Sequence, residues 1–267
     1  MATALPVLSR LVAHRALFFG FVGRELQNRY AGSLSGILWA VLHPIAQLAI
    51  FAFVFAAIFR SRAGNLDESQ FIAFYAVGLW PWLAFREGLA RGTASLQNAA
   101  HLIKKIAFPN ELIVAAAVTA TFIVHLGGFA LALVALKLFN QPIDFVGLPV
   151  AFFAVTSLYL AALGLSLALS AVQLIIRDVE QVMGPVLDLL FFLTPILYPL
   201  AAVPVALQPV VRANPLTFIL ERLHNALVFK PDLLEPGDFV ALGCAAVVLL
   251  LGYAVFKRLS PHFEDFV

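Results

Sequence analysis

Ionisable side chains that fall inside long apolar stretches include His43 beside Pro44, His125 midway along one run, and Asp188 early in another. A charge or proton acceptor in hydrocarbon is costly, which makes each a functional candidate by default. The chemistry open to them is a proton relay, and that needs several groups at comparable depth with partners. Blander readings are as physical. Asp188 can lie near a membrane surface, paired with Arg177 or Arg86, and His125 can be a neutral core imidazole. Other chemistry has little footing. The chain carries no GxxxxGK[ST] phosphate loop, no HExxH, no CxxC pair and no nucleophile elbow. It is therefore expected not to be an enzyme, and any work it does draws on a partner or a gradient. The one cysteine, Cys244, excludes an intrachain disulfide and reads as a packing residue.

The elements that must position these groups are membrane helices. Of 267 residues, 62% are hydrophobic and 12% charged, and the mean hydropathy is +0.96. Soluble domains carry about 45–50% apolar and about 25% charged residues, so this chain needs lipid as its solvent. The alternation of a membrane barrel is absent, so the spans are helical. Six runs qualify, over residues 34–59, 71–90, 111–136, 148–174, 182–200 and 238–256. With both termini on one side, that side holds Arg10, Arg15, Arg24, Arg29, Arg86, Arg91, Lys104, Lys105, Arg177, Lys257 and Arg258. The other side holds Arg60, Arg62, Lys137, Arg212, Arg222 and Lys230. About eleven against six places both termini in the cytoplasm by the positive-inside rule.

Three segments outside the spans carry information. Residues 8–30 form an imperfect amphipathic helix, with Leu8, Val12, Phe19, Val22 and Leu26 on one face and Arg10, His14, Arg24 and Asn28 on the other. Such a helix lies along the membrane surface, its arginines near anionic headgroups, or serves as a plain basic flank. Residues 91–111 contain a short helix with Leu96, Ile103 and Ile106 on one side, ended by Pro109 and followed by Asn110 as a cap. It is a handle for a soluble partner or a solvated connection. Residues 201–236 are cut by five prolines. After Asn214 and Pro215, Leu216, Ile219, Leu220, Leu223 and Leu227 line one face of an interfacial or re-entrant helix. Small residues at Gly32 and Gly36, and at Ala162, Ser166 and Ser170, suit close helix packing. Trp80 and Trp82 bracket Pro81, which predicts a kink.

Taken in order, RELQNRYAGSLSGILWAVLHP, LIKKIAFPNELI, IIRDVEQVMGPVLDLLFFLTPILYPL, RANPLTFILERLHNAL and KRLSPHFEDFV resemble the membrane subunit of ABC-2 type exporters. The branch they resemble moves polysaccharides such as O-antigen, capsule and teichoic acid. The resemblance runs from about residue 10 to the end of this chain. It implies an all-α polytopic membrane protein of six transmembrane helices, with an N-terminal interfacial helix, a short coupling helix and re-entrant outer helices. It further implies a homodimer in the inner membrane, two copies of a cognate ABC ATPase that carry the ATP and Mg, a lipid-linked glycan substrate, and no nucleic acid. No cofactor is expected on this chain. Carried onto matching positions, Gln97, Asn98, His101, Lys104, Lys105, Phe108 and Pro109 become the ATPase-coupling residues. Arg24, Arg29, Tyr30, Trp39, Trp80, Trp82, Thr194, Pro195, Asn214, Pro215 and Arg222 become pathway or gate candidates.

Rival readings remain open at this level. An ABC-2 exporter of a drug or simple lipid shares the motifs. A polytopic glycosyl- or acyltransferase would want clustered carboxylates or His/Asp pairs. A gradient-driven carrier would want inverted repeats, and the two halves show no clear self-similarity.

Overall fold

A computed structural model describes residues 14–29, 38–53, 68–104, 108–229 and 233–266. These residues form helices and turns, with no strand among them. The helices are α1 (Arg15–Arg29), α2 (Trp39–Phe53), α3 (Glu68–Asn98), α4 (Ala100–Ile103), α5 (Glu111–Leu138) and α6 (Leu148–Ile175). They continue with α7 (Val179–Leu193), α8 (Gln208–Ala213), α9 (Pro215–His224), α10 (Pro236–Leu259) and α11 (Phe263–Phe266). Three segments are long and apolar enough to cross a membrane: Glu111–Leu138, Phe145–Ile175 and Pro236–His262. They overlap the spans expected over 111–136, 148–174 and 238–256, the last running on to His262.

Two of the remaining expected spans differ. Helix α3 is 31 residues long and runs past the expected end at residue 90. It continues through Pro81, and its Trp, Arg and Glu residues lower its hydropathy. Its stretch from Ala73 to Phe85 is almost wholly buried in protein, with Tyr75, Val77 and Leu79 at 0% exposure. Helix α7 has 15 residues, about 22 Å of helix, so it does not cross a bilayer by length alone, and the expected span over 34–59 is described only within Trp39–Phe53 of α2. Helix α7 stops at Leu193 rather than residue 200, because Pro195 forces Thr194 into extended backbone (φ −100°, ψ 138°).

The core forms where α6 meets α10, α3 meets α5 and α3 meets α6, with α1 laid along α5. Small residues set the tightest contacts. Ala162, Ser166 and Ser170 are all fully buried, as the small-residue spacing predicts. Less legible were Gly164 and Gly252. A methyl on Gly164 would stand 2.6 Å from Leu249 Cα, and one on Gly252 would overlap the Gly164 carbonyl. Across the bundle, a methyl on Gly92 of α3 would come 2.6 Å from Ser166 Cβ.

Ion pairs tie the two ends of the bundle. At one end Lys257, in the last turn of α10, bonds Glu111 in the first turn of α5 at 3.1 Å. Each charge complements the helix terminus it sits on. Asn110 makes no side-chain cap there, contrary to expectation. At the opposite end Arg222 of α9 grips Asp238 of α10 in a two-pronged pair, both bonds 2.9 Å. Arg222 also donates to the Leu233 carbonyl at 3.0 Å. Asp238 accepts from the Glu235 amide as half of a capping box.

Two consequences are measurable by thermal unfolding in detergent. Gly252→Ala forces α6 and α10 apart and is expected to cost about 1–3 kcal/mol. Asp238→Asn removes one of the two carboxylates that Arg222 bonds, leaving Glu235 at 3.2 Å, and is expected to cost about 1.5–3 kcal/mol.

Candidate functional site

Helix α1 faces the bundle differently from the sequence expectation. Val22 is buried against Ala116 and Ala120 of α5, with Phe18, Phe21 and Leu26 packed around it. Phe19, expected on the buried face, is 67% exposed. Phe18 and Phe21, neither of them on the apolar face expected from the sequence, do the docking, because α1 packs on α5. Leu8 and Val12 lie outside the described residues.

At the end of α1, Arg29 Nη2 donates to Glu87 Oε2 of α3 at 2.5 Å. His125 Nε2 of α5 bonds the same oxygen at 2.6 Å, and Arg91 Nε donates to Glu87 Oε1 at 2.6 Å. Arg29 and His125 are nearly enclosed, whereas the Glu87 side chain keeps 31% of its surface. One carboxylate thus binds α1, α3 and α5 together. His125 lies about 21 Å along α5, near mid-height by a 1.5 Å rise per residue. Among the described residues its Nδ1 has no partner. Among the described residues no group of His, Cys, Asp and Glu could hold a metal ion. Sequence reading missed Glu87. Its signal was a carboxylate inside an expected span with Arg91 one turn later.

Next to this hub, Arg86 bonds Asp188 of α7 at 2.5 Å, which selects Arg86 over Arg177 as the partner. The pair is exposed, with 40% and 59% of the side-chain surfaces open. A cavity of about 320 Å³ opens here between α3, α6 and α7, lined by Arg86, Glu87, Thr93, Gln173, Glu180 and Leu187 among others. A neighbouring cavity of about 610 Å³ lies toward the Lys257 end, between α1, the end of α3, α4 and the start of α7. Arg24, Asn28, Arg91, Asn98, His101 and Glu180 reach it, and Arg24 stacks on Phe21 with 5.2 Å to the ring centroid.

The expected coupling segment is not one helix. Gln97 and Asn98 finish α3, His101 lies in the single turn α4, and Lys104 caps that turn. Lys105 lies outside the described residues. Phe108 and Pro109 precede α5, and the Phe108 ring sits 5.5 Å from Phe21 of α1. Gln97 Oε1 accepts from Gln173 Nε2 at 3.0 Å, and the same Nε2 reaches Glu180 at 3.3 Å. The segment is therefore bound to α1, α6 and α7 at once.

At the far end Thr194, Pro195, Asn214 and Pro215 come together although twenty residues separate the motifs. Asn214 Oδ1 accepts from the Leu216 amide at 3.1 Å as an N-cap, and its Nδ2 donates to Thr194 Oγ1 at 2.8 Å. Thr194 Oγ1 donates to the Leu190 carbonyl at 2.6 Å. Arg222 serves the clamp to Asp238. His224 stacks on Phe74, centroids 3.7 Å apart, in the space that Gly78 leaves open. Trp80 and Trp82 are both buried, with Trp82 against Phe85 and Phe191. Trp39 is exposed on α2. Tyr30, Gly32, Gly36 and the His43 side chain lie outside the described residues.

The family model for the ABC-2 type transporter matches residues 16–228. The O-antigen export system permease protein RfbA of Myxococcus xanthus is 28% identical, over 98% of this chain and 99% of that protein. A protein of the same name from Klebsiella pneumoniae is 25% identical over 91% of each chain. The polysialic acid transport protein KpsM of Escherichia coli is 23% identical over 88% of this chain and 90% of its own length. With the family model covering most of the sequence, including α1, the Glu87 hub and the Thr194–Asn214 junction, this chain belongs to the ABC-2 type transporter family.

Proposed function

We propose that this chain is the transmembrane subunit of an exporter of a lipid-linked polysaccharide, driven by a separate ABC ATPase. The observation that carries the reading is the end-to-end similarity to O-antigen export permeases, on a helical bundle with apolar membrane-crossing segments. The work of transport is assigned to ATP and Mg on the partner subunit, in two copies, and the permease to a homodimer. Six crossings, with α2, α3 and α7 completing the three apolar spans, return both termini to the cytoplasm. The Lys257 end of the bundle is then the cytoplasmic one, consistent with Arg24, Arg91, Lys104, Arg177 and Arg258 near it.

In this reading the ATPase grips residues 97–109 together with α1. The Phe21–Phe108 ring contact and the Gln97–Gln173–Glu180 bonds make a push at that end a push on α1, α6 and α7. Glu87 and its three partners pass the displacement to mid-height. The bundle then shifts between two packings, each favoured by one nucleotide state of the partner. The Thr194–Asn214 bond and the Arg222–Asp238 clamp hold α9 across the outer end as a lid. The 610 Å³ cavity sits where a substrate headgroup enters, with Arg24 as its phosphate contact.

The test is export in cells or vesicles holding the permease, its ATPase and the glycan-lipid pathway. Replacing His101 and Lys104 with Glu should leave the permease folded and ATPase turnover present. Glycan-stimulated hydrolysis and export should fall about tenfold, the size of a lost charged contact or two at an interface. Export coupled as in the parent would remove the coupling assignment. ATPase-dependent transport of a drug with no glycan requirement would remove the substrate class.

A further inference from the structure

Helix α7 meets the bundle along one edge. Leu187 and Phe191 are its buried residues, and Arg86 of α3 bonds Asp188 beside them. Much of the remaining surface is open and falls into two stripes at helical spacing. Val182, Val186 and Leu189 form one, apolar and exposed throughout. Gln181, Pro185, Asp188 and Phe192 form the other, and all four are exposed. The first stripe suits hydrocarbon. The second sets an amide, a carboxylate and an aromatic ring in a row.

Depth decides what the second stripe can face. With α7 as a span, Asp188 lies about 14 Å along the axis from Val179, which follows the charged Arg177 and Asp178. That is near the middle of a hydrocarbon core about 30 Å thick. There the Arg86 and Asp188 side chains keep 40% and 59% of their surfaces, and ionised groups at that depth face water or protein rather than lipid. A second helix packed on this face would strip water from both charges, a penalty that the pair's attraction does not reliably offset. Close helix packing would also want small residues where Phe192 stands. This side of α7 is therefore a wet surface.

Arg86 and Asp188 neutralise each other, so the stripe draws neither anions nor cations. It offers hydrogen-bonding groups next to a ring. Asp188 Oδ1 takes the Arg86 bond, which leaves Oδ2 for a hydroxyl donor, and the guanidinium keeps further N–H groups for hydroxyl oxygens. The exposed Phe192 ring stands one helical turn from Asp188, about 5–6 Å between Cβ atoms. One sugar ring can reach both, with hydroxyls on the ion pair and a carbon–hydrogen face on the phenyl. We propose that this stripe of α7, together with Arg86, is a contact track for the carbohydrate chain as it crosses the membrane. The proposal rests on the glycan-export reading above and adds to it the surface that touches sugar. A second copy of this chain is the competing occupant of the face.

Pro185 and Val186 are adjacent, at one depth and on different stripes, which makes them a matched pair of probes. The full transporter carries Cys244→Ser, which removes the chain's one cysteine, with either Pro185→Cys or Val186→Cys. A charged thiosulfonate is applied to permeabilised, ATP-depleted membranes. These come from cells making the lipid-linked glycan and from cells in which its synthesis is blocked. Pro185→Cys should react in the glycan-free membranes and severalfold more slowly with glycan present, whereas Val186→Cys should stay unreactive in both. Phe192→Leu keeps apolar bulk without the ring, and should remove most of that protection and slow export about two- to tenfold, the size of one aromatic contact. Phe192→Tyr should restore both. An unreactive Pro185→Cys in glycan-free membranes would overturn the wet track and favour the second copy. Equal rates in the two membranes, with export by the parent intact, would overturn the sugar contact and leave the export reading standing. A parent transporter that exports no glycan would overturn the reading on which the track depends.

Discussion

The Glu87 carboxylate takes bonds from Arg29 of α1, Arg91 of its own helix and His125 of α5, and the arrangement of the bundle follows from protecting that group. A carboxylate at mid-height cannot be solvated by hydrocarbon. Helix α3 is therefore sheathed by α5, α6 and α9, and α1 is drawn across α5 until Arg29 reaches the acid. The helix least suited to lipid becomes the most enclosed, while α10, the most apolar of the spans, turns most of its surface outward. Burial here follows polarity in the reverse of the soluble sense, because the outside solvent is the apolar one.

Two polar junctions then fix the ends without regular secondary structure. Glu111 with Lys257 joins the start of α5 to the end of α10. Thr194 with Asn214, and Arg222 with Asp238, hold α9 between the end of α7 and the start of α10. Between them the glycine contacts of α6 with α10 give a rigid pair. Rigidity of this kind suits a machine that shifts between discrete packings, since close-packed interfaces jump rather than bend.

Much of this was legible in order along the chain. Long apolar runs gave α5, α6 and α10 within a few residues, since the length a bilayer demands is written in composition. Asn214 followed by Pro215 gave the start of α9, and Ala162, Ser166 and Ser170 gave a packed face. The hydrogen-bonded meeting of Thr194 with Asn214 was not legible, although both stood in motifs. Nor were Gly164 against Gly252, or the docking of α1 through Phe18 and Phe21. Each of these needs to know which helix lies opposite, and a helical repeat specifies a face without specifying its neighbour.

The sequence by itself determined the solvent, the helical class and the family, because apolar composition and ordered motifs survive without any contact information. Only the tertiary structure decided which charges are counter-ions. It gave Arg29 to Glu87 and Arg86 to Asp188, and placed Trp80 and Trp82 in the core. Those outcomes depend on distances of a few ångströms between residues far apart in the chain. Electrostatic and hydrogen-bond energies are set at that range, and no spacing along one helix encodes it.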